Sequence, residues 1–253
     1  CADAGGRGHG GARLAVDCNE RIVKGAELDE RMRNYEDSSR VYLPRRLPLI
    51  VRVDGRAFHT LTAHMRKPWD LVIHNAMVEV AAALMKEAQG AKLAYAQSDE
   101  VSVLLTDYDA LNTEAWFGKN LQKIVSVSAS VAALAFNHGS LSWNLEGAFD
   151  ARAFVLPKEE VTNYFIWRQR DCERNSIQGL AQAHFPHKDL HGLNTLQLQD
   201  KLMSEAGVNW NDCEPWQKRG TVMLSGPVID EAPPRFTASR EYIERFVWLP
   251  DDS

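Results

Sequence analysis

Residues 49–56 read Leu-Ile-Val-Arg-Val-Asp-Gly-Arg, a mostly apolar run followed by an acid and a glycine. Its β-branched side chains predict a short strand over residues 49–53. Asp54 and Gly55 follow directly, and glycine permits the sharp turn of the backbone that ends such a strand. The sequence therefore predicts a carboxylate at the C-terminal end of a strand.

Helical and strand patterns alternate on either side of this stretch. Apolar residues with helical spacing predict the helices, and short runs bounded by turn residues predict the strands. The predicted elements are a charged helix over 28–35, a helix over 69–89 that Gly90 ends, strands over 92–97 and 101–105, a helix over 113–137 and a strand over 151–155. From residue 49 the order is βαββαβ, which predicts an α+β, ferredoxin-like fold.

The tip of the predicted hairpin, Ser98-Asp99-Glu100, carries two acids. In a ferredoxin-like sheet the first and third strands are neighbours, so Asp54 and Asp99 could approach one another. Two such carboxylates suit Mg²⁺ that also binds water and phosphate oxygens, as in phosphoryl or nucleotidyl transfer. The alternative is that both segments are ordinary turns, because Asp-Gly turns and polar hairpin tips are common.

Beyond Pro157 the chain predicts an elaboration of the same domain, with helices and a β-hairpin. The helices are expected over 159–184 and 195–205, and the strands over 220–224 and 242–249. We expect residues 1–24, a Gly-rich segment, to be disordered or a fragment edge. Residues 25–253 are expected to form a single domain, with the elaboration starting at about residue 157.

The overall composition favours a globular protein whose nucleic-acid contacts, if any, are local. The chain has 253 residues, and 29 Lys and Arg against 34 Asp and Glu give a net charge of −5. No apolar stretch is long enough to predict a membrane span. The four cysteines are scattered without a Cys-x-x-Cys pair, which indicates a reducing, cytoplasmic compartment. The local basic clusters are Arg45, Arg46, Arg52, Arg56, Arg66 and Lys67, then Lys119 and Lys123, then Arg168, Arg170 and Arg174.

Several other site types are not supported. The sequence contains no Gly-x-Ser-x-Gly pattern of a hydrolase nucleophile. It also lacks the glycine-rich phosphate-binding pattern Gly-x-x-x-x-Gly-Lys-Ser/Thr. His184, His187 and His191 have a spacing that zinc sites use, but Pro186 interrupts their helix and no nearby cysteine completes a ligand set. Trp167 and Trp216 lie beside basic residues and could stack on unpaired bases, although core packing is the alternative for each.

Four segments together resemble the tRNA-histidine guanylyltransferase family. They are VRVDGRAFH (51–59), AYAQSDE (94–100), NLQKIVSVSAS (120–130) and YFIWRQRDC (164–172), within a match from about residue 28 to 227. The stretches RNSI (174–177), HKDLHG (187–192), NWND (209–212) and KRGT (218–221) are similar to the bacterial and archaeal guanylyltransferase-like branch.

The resemblance implies a catalytic, polymerase-like palm that adds nucleotides to the 5′ end of tRNA in the 3′-to-5′ direction. It implies two Mg²⁺ ions, ATP, GTP and other nucleoside triphosphates as substrates, and a homodimer or homotetramer. Asp54, the Gly55 carbonyl and Asp99 would bind the metals, and Glu100 would support the site. The residues expected around the triphosphate or the tRNA 5′ end are Asp54, Gly55, Arg56, Ala57, Phe58, His59, Lys67, Ser98, Asp99, Lys123, Asn175 and Arg219.

One departure from the family pattern bears on the substrate. The eukaryotic members carry His-Ile-Asn-Asn where residues 173–176 of this chain read Glu-Arg-Asn-Ser. The branch that lacks this histidine implies template-dependent repair of tRNAs with truncated 5′ ends. The alternatives are dedicated addition of G at position −1 of tRNA(His), a nucleotide cyclase, and a tRNA-binding module without catalysis.

Overall fold

The computed structural model describes Gly25, residues 27–226 and residues 228–249. Contacts divide the chain into two units, one that ends at Val41 and one that starts at Tyr42. In the first unit residues 27–37 form helix α1, which confirms the helix predicted there. The disorder expected of residues 1–24 concerns a segment outside the described residues. No helix of the described part is both long and apolar enough to cross a membrane.

The second unit contains six strands and seven α-helices among its described residues. They are β1 (Leu49–Gly55), α2 (Phe58–Leu61), α3 (Leu71–Glu87), β2 (Ala91–Gln97), β3 (Glu100–Leu105), α4 (Leu121–Gly139), β4 (Phe149–Val155), α5 (Lys158–His184), α6 (Thr195–Lys201), α7 (Pro215–Arg219), β5 (Thr221–Leu224), β6 (Val228–Asp230) and α8 (Glu241–Glu244). A π-helical turn, Leu202–Ala206, continues α6.

The strands form one antiparallel sheet in the order β4-β1-β3-β2-β5-β6. The predicted neighbourhood of the first and third strands is confirmed, since β1 pairs with β3 and Asp54 lies opposite Glu100. On its other side β1 pairs with β4, where Asp54 lies opposite Asp150. The α+β, ferredoxin-like arrangement therefore follows from the observed pairing.

The two faces of the sheet are covered by different helices. Because side chains alternate along a strand, Val51 and Val53 pack with α3 and α4, whereas Ile50 packs with Phe165 of α5. Only the first part of α5 covers the sheet. Its C-terminal part forms a further core with α6 and Trp210. Helix α5 therefore joins the sheet to the helical elaboration.

One predicted strand and one predicted helix start need correction. The strand predicted over 242–249 is wrong, because this segment begins with helix α8 and continues as turns. Ile243 and Val247 are both buried there, four residues apart, which is helical spacing. The predicted helix over 113–137 begins as an α-helix only at Leu121, where the Asn120 side chain accepts a hydrogen bond from the Lys123 N–H.

Candidate active site

The end of β1 and the β2–β3 turn are joined by a backbone hydrogen bond. The Gly55 N–H donates to the Asp99 carbonyl oxygen at 3.0 Å. Ser98 begins the two-residue turn with a φ of 50°, in the left-handed region. This geometry places Asp54 and Asp99 at one end of neighbouring strands, as the sequence predicts.

The two carboxylates influence each other electrostatically. Burial raises the pKa of Asp99, and the negative charge of Asp54 raises it further. Its backbone hydrogen bond, the Ser98 hydroxyl and the nearby His59 act in the opposite direction, but the pKa stays above its ordinary value. A cation that contacts both carboxylates would relieve this repulsion.

Glu100 follows Asp99 directly, lies opposite Asp54 and belongs to a buried network. Its Oε1 accepts hydrogen bonds from Arg168 Nε at 2.9 Å and from Gln97 Nε2 at 3.2 Å, and Arg52 Nη1 lies 3.8 Å from its Oε2. Burial raises the pKa of Glu100, although Arg168 and Arg52 oppose the shift. These contacts fit the supporting role expected of Glu100, which stays a prediction.

A cavity of about 570 Å³ opens above the carboxylates. Its size is that of pockets that hold small-molecule ligands. The predicted site residues that line it are Asp54, Lys67, Ser98, Asp99, Glu100 and Asn175. Arg66 and Lys67 form a basic part of its wall, and α5 and α7 contribute Trp167 and Trp216. The cavity therefore combines acidic, basic and aromatic groups.

Residues 55–59, which follow Asp54, do not line the cavity. Phe58 is buried against Phe136 and Phe149, with ring centroids 4.9 and 5.3 Å away. A Cβ on Gly55 would lie 2.3 Å from the Phe58 ring, so this position excludes a larger residue. The remaining predicted members, Arg56, Ala57 and His59, are exposed.

Two predicted basic residues lie outside the cavity. Lys123 is exposed in the first turn of α4. Arg219 donates from Nε to the Pro233 carbonyl oxygen at 2.8 Å, which ties α7 to the segment before α8. Neither residue lines the cavity, and their predicted contacts with phosphate stay predictions.

Asp70 and His74 are among the cavity residues that the sequence did not identify. Asp70 caps α3 by accepting from the Val72 N–H at 2.8 Å, and it also accepts from the Arg66 N–H, which lies before the helix, at 3.0 Å. His74 stacks on Trp216 with ring centroids 4.0 Å apart, and burial lowers the pKa of His74. An Asp before a helical run is a recognisable cap signal, whereas the stacked pair has no local sequence signal.

The available donor set fits Mg²⁺ better than zinc. Among the described residues no group of three or more His, Cys, Asp or Glu could hold a metal ion. The site instead offers the carboxylates of Asp54 and Asp99 and nearby backbone oxygen. Mg²⁺ keeps several waters and is commonly bound by one or two carboxylates together with substrate phosphates.

Comparisons with known proteins agree on one family. The family model described as Thg1, tRNAHis guanylyltransferase, matches residues 29–157. A bacterial tRNA(His) guanylyltransferase (Thg1)-like protein in complex with ATP is 48% identical, with a TM-score of 0.86, over 88% of this chain and 100% of that one. Another such bacterial structure, in complex with GTP, is 40% identical with a TM-score of 0.76 and the same coverage. The tRNA(His) guanylyltransferase of Debaryomyces hansenii is 30% identical, over 70% of this chain and 72% of that protein.

Proposed function

Because the chain belongs to the tRNAHis guanylyltransferase family of nucleotidyltransferases, in its bacterial-type branch, we propose that it repairs tRNAs that lack 5′ nucleotides. It adds nucleotides to the 5′ end in the 3′-to-5′ direction, and the opposite acceptor strand selects each base. The observation that carries this proposal is the placement of Asp54 and Asp99 together at the edge of a ligand-sized cavity.

The substrates follow from the cavity and from its relatives. Bacterial neighbours of high similarity were solved with ATP and with GTP, which supports nucleoside triphosphates as ligands of this chain. Arg66 and Lys67 supply positive charge to the cavity wall, where a triphosphate would need it. Asp54 and Asp99 repel a polyanion unless cations are bound between them, so the acids and the phosphates require a metal.

The proposed reaction joins two nucleotides at the 5′ end. The 5′ phosphate of the tRNA attacks the α-phosphorus of a nucleoside triphosphate such as ATP and releases pyrophosphate, or the tRNA arrives as a 5′ triphosphate. The 3′-hydroxyl of an incoming nucleotide attacks the tRNA 5′ phosphate, and AMP or pyrophosphate leaves. Two Mg²⁺ ions at Asp54, Asp99 and the Gly55 carbonyl would lower the pKa of the attacking hydroxyl and neutralise phosphate charge. The hydrogen bond from Arg168 to Glu100 would hold the strand end beside these ligands in place.

Residue 173 favours templated repair over addition dedicated to tRNA(His). The eukaryotic pattern has a histidine there, whereas Glu173 of this chain forms an ion pair with Arg235 at 3.3 Å. A carboxylate cannot supply the donor and charge of an imidazolium to RNA. Selection of the nucleotide then falls to pairing with the opposite strand. We place the enzyme in the cytoplasm. We expect a homodimer or homotetramer, and light scattering tests this oligomeric state.

The test uses a tRNA transcript that lacks its first 5′ nucleotide. It is incubated with the protein, Mg²⁺ and one nucleoside triphosphate at a time, and product length is read on a gel. Extension only by the nucleotide complementary to the opposite base supports templated repair, and Asp54→Ala should abolish it. Addition of G to tRNA(His) regardless of the opposite base would show the dedicated activity instead.

Two control reactions separate the remaining classes. Consumption of ATP or GTP without tRNA would indicate a nucleotide cyclase. Tight tRNA binding without any extension would indicate a binding module. Either result would overturn the proposed function.

A further inference from the structure

One face of α5 carries an aromatic and basic stripe. Trp167, Arg170, Arg174 and Gln178 are all exposed, and their spacing of three or four residues places them on one side of the helix. At 1.5 Å per residue the stripe is about 16 Å long. The residues between them are mostly buried or half-buried. The stripe therefore combines a large ring with two guanidinium groups on a single surface.

Trp167 is held in place although it is exposed. The Arg168 guanidinium lies over its ring, 4.2 Å from the centroid, and the Tyr164 ring meets it edge-on at 5.9 Å. Arg168 is itself fixed by Glu100 at 2.9 Å and by Asp171 at 2.6 Å. The indole is thus ordered by the same buried network that supports the strand end beside Asp54.

The exposure of Trp167 is not explained by packing. The residue is 54% exposed, whereas Tyr164 and Phe165 beside it are 8% and 0% exposed and belong to the core. Trp167 also lines the cavity that contains Asp54 and Asp99. An ordered, half-exposed indole at such a place offers a flat surface to a flat ligand group.

The positive charge of the stripe indicates which kind of ligand carries the flat group that Trp167 would contact. Arg170 and Arg174 are exposed on the same face, and the Arg174 side chain is 56% exposed although it pairs with Asp171. Guanidinium groups that flank an aromatic platform fit a nucleic-acid strand, because they contact phosphates while the ring stacks on a base. The stripe extends along about 16 Å of the helix, or about three turns. A nucleoside triphosphate alone would not need an aromatic and basic surface of this length.

We propose that Trp167 is the platform on which the 5′-terminal base of the tRNA stacks, and that Arg170 and Arg174 bind phosphates of the adjoining strand. The stacked base would hold the 5′ end at the cavity, close to Asp54 and Asp99. This inference rests on the proposed function, since it takes tRNA as the substrate.

The direct test places 2-aminopurine at the 5′-terminal position of a truncated tRNA and measures its fluorescence without any nucleoside triphosphate. Stacking on an indole quenches this probe. Wild-type protein should quench it, and Trp167→Ala should bind the tRNA without that quenching. Trp143→Ala is the matched control, because Trp143 is similarly exposed, at 56%, and does not line the cavity.

Kinetics provide the second readout. Loss of one base–aromatic stack should raise the KM for truncated tRNA roughly tenfold in Trp167→Ala. The KM for the nucleoside triphosphate should not change, and Trp167→Phe should recover most of the tRNA affinity.

The outcomes that overturn the platform differ from those that overturn the activity. Equal quenching by wild type and Trp167→Ala would refute the platform while leaving templated extension intact. A changed KM for the nucleoside triphosphate with an unchanged KM for tRNA would assign the ring to the nucleotide and refute it too. Failure of the wild-type protein to bind or extend tRNA would refute the proposed function, and the platform with it.

Discussion

Arg168 Nε donates a hydrogen bond to Glu100 Oε1 at 2.9 Å, and this contact ties helix α5 to the strand end opposite Asp54. Both side chains are largely buried, at 7% and 10% exposed. Arg168 also lies over the ring of Trp167. The buried ion pair therefore connects the strand end opposite Asp54 with the indole of Trp167, which lines the cavity.

Removing Arg168 should destabilise the fold. Arg168→Ala removes the principal partner of the buried Glu100 carboxylate, a change that typically costs about 3–5 kcal/mol. The free energy of unfolding by urea measures this loss. Arg170→Ala is the control, because an exposed residue on the same helix should change stability by no more than about 0.5 kcal/mol. A loss under about 1 kcal/mol in Arg168→Ala would mean that the pair does not organise the site.

Two glycines should respond in opposite directions to alanine. Gly55→Ala places a Cβ 2.3 Å from the buried Phe58 ring, so overpacking should cost about 1–3 kcal/mol. Gly179→Ala, inside α5, meets only Pro68 at 3.5 Å and should gain up to about 1 kcal/mol, because alanine favours the helix. Thermal melting of both variants checks this. Equal melting temperatures for the two would contradict the packing around Gly55.

Asp107 should contribute stability that depends on pH. It accepts from Arg45 Nε at 2.7 Å, and Lys119 Nζ, from a side chain only 1% exposed, lies 3.2 Å away. Burial alone would raise the pKa of Asp107, but hydrogen bonds from Arg45, the Arg46 N–H and Lys119 lower it overall. A depressed pKa stabilises the folded state above the pKa of the unfolded chain, and this contribution is lost as the pH falls through the folded value.

Asp107→Asn tests this pair. At pH 7 the variant should lose about 3 kcal/mol or more, because the buried Lys119 ammonium loses its counter-ion. The difference from wild type should shrink when unfolding is measured at progressively more acidic pH, below the ordinary pKa of an aspartate. If the difference in unfolding free energy between wild type and Asp107→Asn grows on acidification, the pKa of Asp107 is not lowered by folding.

Much of the fold could be predicted because local pattern and tertiary structure agree there. The nearly continuous run of apolar, β-branched residues at 49–53 matches a strand with two buried faces, and the observed β1 begins at the predicted residue. The prediction failed at residues 242–249, where aromatic and β-branched residues favour a strand locally. Ile243 packs with Phe165 of α5, and this long-range contact selects a helical turn instead. The short β6 was missed because three exposed-edge residues give little periodic signal.

The site divides in the same way. Asp54 and Asp99 could be placed from the strand order alone, since turns follow directly after short strands. The ion-pair partner of Glu100 could not be predicted in this way, because Arg168 is distant in sequence. Its contact with Glu100 depends on how α5 crosses the sheet. The His74–Trp216 stack likewise joins α3 to α7 through packing alone. The candidate metal ligands were therefore visible in local motifs, whereas the side chains that pack around them were not.

The central claim is that Asp54 and Asp99 bind the catalytic metal. Mn²⁺ binding, measured by electron paramagnetic resonance in the presence of a non-hydrolysable nucleoside triphosphate, tests it most directly. The matched control is Asp150→Asn, since Asp150 is exposed and lies opposite Asp54 on β4. Burial and the negative charge of Asp54 raise the pKa of Asp99, which means that the folded protein disfavours the charged form of this side chain. Asp99→Asn removes that charge and should therefore not lower the melting temperature.

We expect Asp54→Asn and Asp99→Asn each to weaken Mn²⁺ binding by at least about tenfold, with extension of truncated tRNA lost in parallel. Asp150→Asn should bind Mn²⁺ as the wild type does. Unchanged Mn²⁺ affinity in both Asp54→Asn and Asp99→Asn, with the fold intact, would contradict the account.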